Sequence, residues 1–121
     1  MARNRGATVF LHTDGYIVPI ISDLIETGVT TLNPQDLVNG LETLERLAKG
    51  KIHINLDIDR QKITVYGTPD EVREHIRTCI LTLGSPEGGL SLRWGVYPPT
   101  PIENIEAAVR TMQEYRTYWV T

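Results

Sequence analysis

The feature that most constrains the fold is an alternation: short β-rich runs give way, at intervals of about 30 residues, to runs with helical hydrophobic spacing. The β-rich runs fall at 7–12, 29–32, 52–58 and 90–94, and the helical runs at 17–27, 36–49, 68–83 and 102–118. Strands that alternate with helices pair in parallel through crossovers, because antiparallel neighbours need only a tight turn. The pattern predicts an α/β chain of four βα units, one domain over residues 1–121. Four such units are half of a (β/α)8 barrel of the TIM type, which takes eight strands and typically about 250 residues.

The boundaries have chemical reasons. Pro19 suits a first helical turn, where its missing N–H costs least, and Gly28 supplies a stop. Leu37, Leu41, Leu44 and Leu47 form one stripe over 36–49, which predicts an unbroken helix closed by Lys49 and Gly50. Ile52, Ile54, Leu56 and Ile58 alternate with polar residues, as in a strand with one face more buried than the other. Ile63 to Tyr66 reads as a second short β-like run. Thr68, Pro69 and Glu71 form a capping box for the next helix, which carries Val72, Ile76, Ile80 and Leu83. The last helix places Ile105, Ala108, Val109 and Met112 on one side.

Composition excludes several classes of function. The net charge of -3 leaves no broad basic surface for a nucleic-acid backbone. The longest apolar run, 17–21, contains a proline and falls far short of the roughly 20 residues of a membrane span. No apolar stretch follows Met1 to Gly6, which argues against a secretory signal. The one cysteine, Cys79, permits no intrachain disulfide and no multi-cysteine zinc site, consistent with a reducing cytoplasm.

A series of short motifs then carries a family resemblance. His12-Thr13-Asp14-Gly15 follows the first strand, and Asp23-Leu24-Ile25-Glu26-Thr27-Gly28 ends the first helix. Leu32-Asn33-Pro34-Gln35, Asp59-Arg60-Gln61 and Gly67-Thr68-Pro69-Asp70-Glu71-Val72 come next, then Gly88-Gly89-Leu90 and Pro101-Ile102-Glu103-Asn104-Ile105. In order and spacing this resembles the second half of uroporphyrinogen decarboxylase-like proteins, a superfamily that includes corrinoid-linked methyltransferases. The resemblance implies a barrel with its site at the C-terminal ends of the strands, here the fifth to the eighth. It implies decarboxylation or methyl transfer on an organic substrate once a full barrel is assembled. A corrinoid is a possible cofactor by resemblance, and none is required by the sequence.

The chain also departs from that pattern. Where decarboxylases carry a histidine after the last strand, the matching stretch is Arg93-Trp94-Gly95. Where zinc-dependent thiol methyltransferases use a His-x-Cys pair and a later cysteine, this chain has His12-Thr13-Asp14 and a position near Val96. The family's arginine-rich substrate loop belongs to the half without a counterpart here. These departures leave a second reading open: a non-catalytic ligand-binding or vestigial half-barrel.

Residues just past each strand are the candidates to face a small organic ligand. His12 and Asp14 are the catalytic candidates, since a carboxylate beside an imidazole shares its proton or fixes its tautomer. The competing reading makes Asp14 a turn residue with Gly15. Asn33, Gln35, Asp57, Asp59, Gln61, Arg93 and Tyr97 are the ligand-binding candidates. For Asn33 and Gln35 the competing role is to stabilise their loop; for Asp57 and Asp59, a turn cap and a solvated charge. No metal ligand set is assigned. Trp94, His53, His75 and Cys79 read as structural or exposed. A lone half-barrel would expose two strand edges and an apolar inner face, so a homodimer is expected, closing an eight-stranded pseudo-barrel; an open sandwich paired through its exposed face, or a missing half supplied by another polypeptide, are the other solutions.

Overall fold

In the computed structural model, which describes residues 2–120, the chain forms one four-stranded sheet in the order β1-β2-β3-β4, with every neighbouring pair parallel. The strands are β1 (Phe10–His12), β2 (Thr31–Asn33), β3 (His53–Asp57) and β4 (Leu90–Arg93). Between them run α1 (Ile21–Glu26), α2 (Asp36–Asn39), α3 (Leu41–Leu47), α4 (Ile63–Tyr66) and α5 (Pro69–Leu83), and α6 (Ile102–Tyr115) follows β4. Parallel strands in chain order, alternating with helices, form the α/β half-barrel that the alternation predicted.

Because strand order never reverses, right-handed crossovers place all the helices on one face. Burial along the strands agrees. Leu32, Ile54 and Leu56 are fully buried and pack with Ile21, Leu44, Val72, Ile76 and Ala108 of the helices. Burying each large aliphatic side chain contributes roughly 1.5–3 kcal/mol. Alternation turns the intervening residues to the other face: His12, Asn33, His53, Asn55, Asp57, Ser91 and Arg93. Apart from Phe10, which alternation puts on the same face as His12, the inner face is polar, not apolar as expected. It lacks aliphatic side chains because each of these residues lies one step out of phase with the core.

Several local expectations are corrected. The 36–49 helix breaks at Gly40, whose φ of 82° and ψ of 133° no helix accommodates. The break leaves Leu37 41% exposed and takes it out of the leucine stripe. Ile63–Tyr66 is a helical turn, α4, rather than a β-like run. Its first amides are captured by Asp59, whose Oδ2 accepts from Lys62 N at 3.0 Å and Ile63 N at 2.6 Å. A carboxylate at that spot starts a helix and overrides the β propensity of Ile63, Thr64 and Val65. The first helix begins as a 3-10 turn, Val18–Ile20, that contains Pro19. α6 ends at Tyr115, and its Val109 is exposed while Asn104, Ala108 and Thr111 are buried.

Other signals match the structure. Glu71 N donates to Thr68 Oγ1 at 3.1 Å, capping α5, and Gly28 has a φ of 104° just after α1. Trp94 packs against the core. Beside the free edge of β4 lies a groove of about 570 Å3, lined in part by Leu90, Leu92, Met112, Tyr115 and Trp119. Among the described residues, no helix is long and apolar enough to cross a membrane.

One buried amide fastens α6 to the rest. Asn104 is 1% exposed, and its Nδ2 donates to Thr64 O and Gly67 O, each at 2.9 Å. Asn104→Ala strands two carbonyls at the end of α4 and is expected to cost about 2 kcal/mol. Urea denaturation measures it as a lower midpoint with an unchanged slope.

Candidate functional site

The polar inner face is organised by one amide whose orientation is forced. Asn33, at the end of β2, is fully buried. It lies 2.5 Å from the backbone carbonyl of Asn55. A carbonyl only accepts, so the Asn33 atom facing it is Nδ2. The same Nδ2 reaches Asn55 Oδ1 at 3.1 Å. Asn33 Oδ1 then points across to β1, where it lies 2.6 Å from His12 Nδ1. An amide oxygen only accepts, so His12 Nδ1 carries the hydrogen. The neutral imidazole is thereby held in one tautomer, with the lone pair on Nε2.

Nε2 is the atom at which His12 gains or gives up a proton, and it lies 3.3 Å from Asp14 Oδ1. Asp14 is 66% exposed and is also approached by Arg60 Nη2 at 3.9 Å. Arg60 grips buried Asp57 through Nη1, at 2.9 and 3.1 Å to its two oxygens. The hydrogen bond that Arg60 donates to Asp57, and next the Asp57 charge, raise the Arg60 pKa still further; burial opposes this, and Asp14 and Tyr97 add to it. The sequence Asp57–Arg60–Asp14–His12–Asn33–Asn55 is thus one connected polar row across the ends of β1, β2 and β3. Asn55 Nδ2 extends it to Ser91 Oγ on β4 at 2.6 Å, and His53 Nε2 meets the same hydroxyl at 2.9 Å.

The loop carrying His12 and Asp14 is tied down by neighbouring amides. Gln35 Oε1 accepts from Gly15 N at 2.8 Å. Asn39 Oδ1 accepts from Ile17 N at 2.9 Å, and its Nδ2 donates to Gln35 O at 2.9 Å and Gly15 O at 3.2 Å. Gly15, with a φ of 81°, occupies a left-handed turn that other residues disfavour.

The structure therefore brings His12, Asp14, Asn33 and Asp57 into one row and gives Gln35 a loop-holding role beside it. Asp59 lies apart, with its carboxylate occupied by the α4 amides. Gln61 is exposed, its N–H donating to Asp59 Oδ1 at 3.2 Å; with Asp57 and Asp59 it borders a depression of about 240 Å3. Arg93 is exposed at the end of β4, and Tyr97 is 61% exposed with its ring over Gly95, where a Cβ would meet it at 2.7 Å.

Residues overlooked from sequence are Arg60, Asn55 and Asn39. Asn55 had a signal, since it alternates with His53 and Asp57 on the polar face of β3. Arg60 had one too, three residues from Asp57. Behind the sheet, His75 Nε2 lies 2.6 Å from Asp36 Oδ2. Cys79 is fully buried beside this pair, and burial, with the Asp36 charge second, pushes its thiol pKa strongly up.

Parallel strands in chain order under one helical layer define a (β/α) half-barrel, and the polar row lies towards the strands' C-terminal ends, the end at which proteins of that type carry their sites. The chain belongs to the uroporphyrinogen decarboxylase family: the family model Uroporphyrinogen decarboxylase (URO-D) matches residues 1–115. No curated protein matches the chain.

The forced amide gives a direct spectroscopic expectation. Nitrogen-15 NMR of neutral His12 should show the proton on Nδ1, whereas free histidine prefers it on Nε2. Asn33→Leu should abolish that preference. A neutral His12 protonated on Nε2 in the unmodified chain would contradict the hydrogen-bond assignment.

Proposed function

We propose that this chain supplies one wall of a decarboxylase-type site for a carboxylate-bearing organic substrate, with His12 as the proton donor. The observation that carries this reading is the pinned imidazole, whose Nε2 faces the strand ends with Asp14 beside it. Decarboxylation exchanges a C–CO2⁻ bond for a C–H bond, so it releases CO2 and takes up one proton. His12 Nε2 is placed to carry that proton, and Asp14 stabilises the imidazolium that holds it. Arg93 at the end of β4 is suited to orient a carboxylate. Gln61 and Tyr97 sit on loops that would border the same ligand.

The methyl-transfer reading has less support. Activation of a thiol needs soft ligands at the strand ends, and the one cysteine, Cys79, lies in the helix layer on the other side of the sheet.

The site so described is open on one side. We infer that a second copy closes it, with β4 of each copy laid parallel to β1 of the other about a two-fold axis, giving eight strands. The order of the motifs, from His12-Thr13-Asp14-Gly15 to Pro101-Ile102-Glu103-Asn104-Ile105, supports assigning this chain the role of the C-terminal half of the family barrel.

Two measurements on one sample test the proposal. Light scattering after size exclusion should give twice 13.6 kDa; a monodisperse monomer overturns closure by self-association. The same sample, given uroporphyrinogen, should release CO2, and His12→Asn should lower the turnover rate by roughly 10²–10⁴-fold. Binding without CO2 release would instead support the ligand-binding half-barrel and sink the catalytic reading.

A further inference from the structure

A second group of ligand-type side chains lies between the helices, outside the strand-end row. His75 and Cys79 are one turn apart on α5 and lie side by side, Cys79 among the helix's buried residues and His75 at their border. Asp36, the first residue of α2, meets them. His75 Nε2 is 2.6 Å from Asp36 Oδ2 and 3.7 Å from Cys79 Sγ, and one ligand atom from each residue lies within 4.8 Å of the other two. The side chains of His75 and Asp36 are only 8% and 2% exposed, and Cys79 is fully buried.

Packing alone does not ask for an imidazole, a carboxylate and a thiol at one point, since an aliphatic side chain would fill the volume without desolvating polar groups. The donor set does suit a divalent ion of zinc type, which takes Cys, His and Asp ligands at about 2.0–2.3 Å. Tetrahedral bonds of that length separate ligand atoms by roughly 3.3–3.7 Å. The sulfur–nitrogen spacing already matches, and the nitrogen–oxygen pair needs to open by less than ~1 Å. One thiolate and one carboxylate also neutralise a divalent charge, so burying the ion leaves no net charge behind. Asp36 is braced from outside the cluster, as metal ligands commonly are: Oδ1 accepts from Leu37 N at 2.6 Å and Oδ2 from Asp59 N at 3.0 Å. Asp36 also borders the strand-end depression, which gives an ion and a water a way in.

We propose that Asp36 Oδ2, His75 Nε2 and Cys79 Sγ form a zinc-type site with a water in the fourth position, pinning α5 to the start of α2. On binding, the Cys79 S–H bond gives way to a sulfur–zinc bond and the proton leaves to solvent. Starting from a neutral imidazole beside the Asp36 carboxylate, the His75 proton moves through solvent from Nε2 to Nδ1, so one proton is released per ion. The site would be structural: it sits behind the sheet and braces, through Asp36 and Asp59, the loops that border the strand ends.

The chain has one cysteine, so in a one-to-one complex any thiolate-to-cobalt charge-transfer absorption comes from Cys79. Titrating the full chain with Co2+ should give that absorption with one-to-one saturation and the visible bands of a tetrahedral site, and Zn2+ should remove both. Cys79→Ser should abolish the charge-transfer band, and His75→Gln should weaken Co2+ binding at least about tenfold. His12→Asn should leave Co2+ binding unchanged. A folded unmodified chain without the band overturns the proposal, and this result needs no variant to fold. So would Co2+ affinity that survives His75→Gln, or that falls with His12→Asn and so moves the ion to the strand ends.

Discussion

Everything in this structure follows from crossovers that never reverse. Each strand is laid beside its predecessor, so the connecting helices accumulate on one face of the sheet. That face takes the aliphatic residues of every strand and becomes the core. The other face, freed from packing, carries His12, Asn33, Asn55, Asp57, Ser91 and Arg93. A polar row on a sheet survives only where its members satisfy one another, because an unpaired buried amide costs as much as a lost hydrogen bond. Asn33 meets that condition by bridging three strands: it bonds Asn55 on β3 and His12 on β1. The requirement that buries it is also what orients the imidazole.

The sequence carried the layout because the layout rests on periodicity. Alternation in β3, the Thr68–Glu71 cap and the glycine after α1 are local signals, and the structure agrees with each. The misses have a common cause. Gly40 broke a helix that leucine spacing alone joined, and Asp59 started a helix that β-branched residues argued against. In both cases one residue's backbone or side-chain chemistry outweighed the propensity of its neighbours. The polarity of the inner face was readable at His53, Asn55 and Asp57, yet a general expectation about exposed sheets overrode it.

The site was legible in part, for the same reason. His12 and Asp14 stand two apart past a strand, and Asn33 stands at the same level one strand over; a reader who places the strands in parallel finds them. The partners that give these residues their character come from 20 or more positions away. Asn33 oxygen on His12, Arg60 beside Asp14 and Asn39 beneath Gly15 depend on strand register, which short runs do not specify. Asp36, His75 and Cys79 are separated by a whole βα unit and meet only because α5 packs over the start of α2.

The two free edges differ in character. β1 is three residues long and presents Phe10, 53% exposed, whereas β4 is four residues long and runs beside an apolar groove. In the proposed two-fold dimer the interface is isologous, so the seam between β4 of one copy and β1 of the other would occur twice. A substitution at either edge would then weaken the proposed dimer at both seams. Short ladders make each seam weak in hydrogen bonds, so the ring's concentration dependence would be set by the groove. The effect of those few apolar residues on a single contact would therefore enter the dimerisation constant of the proposed assembly squared.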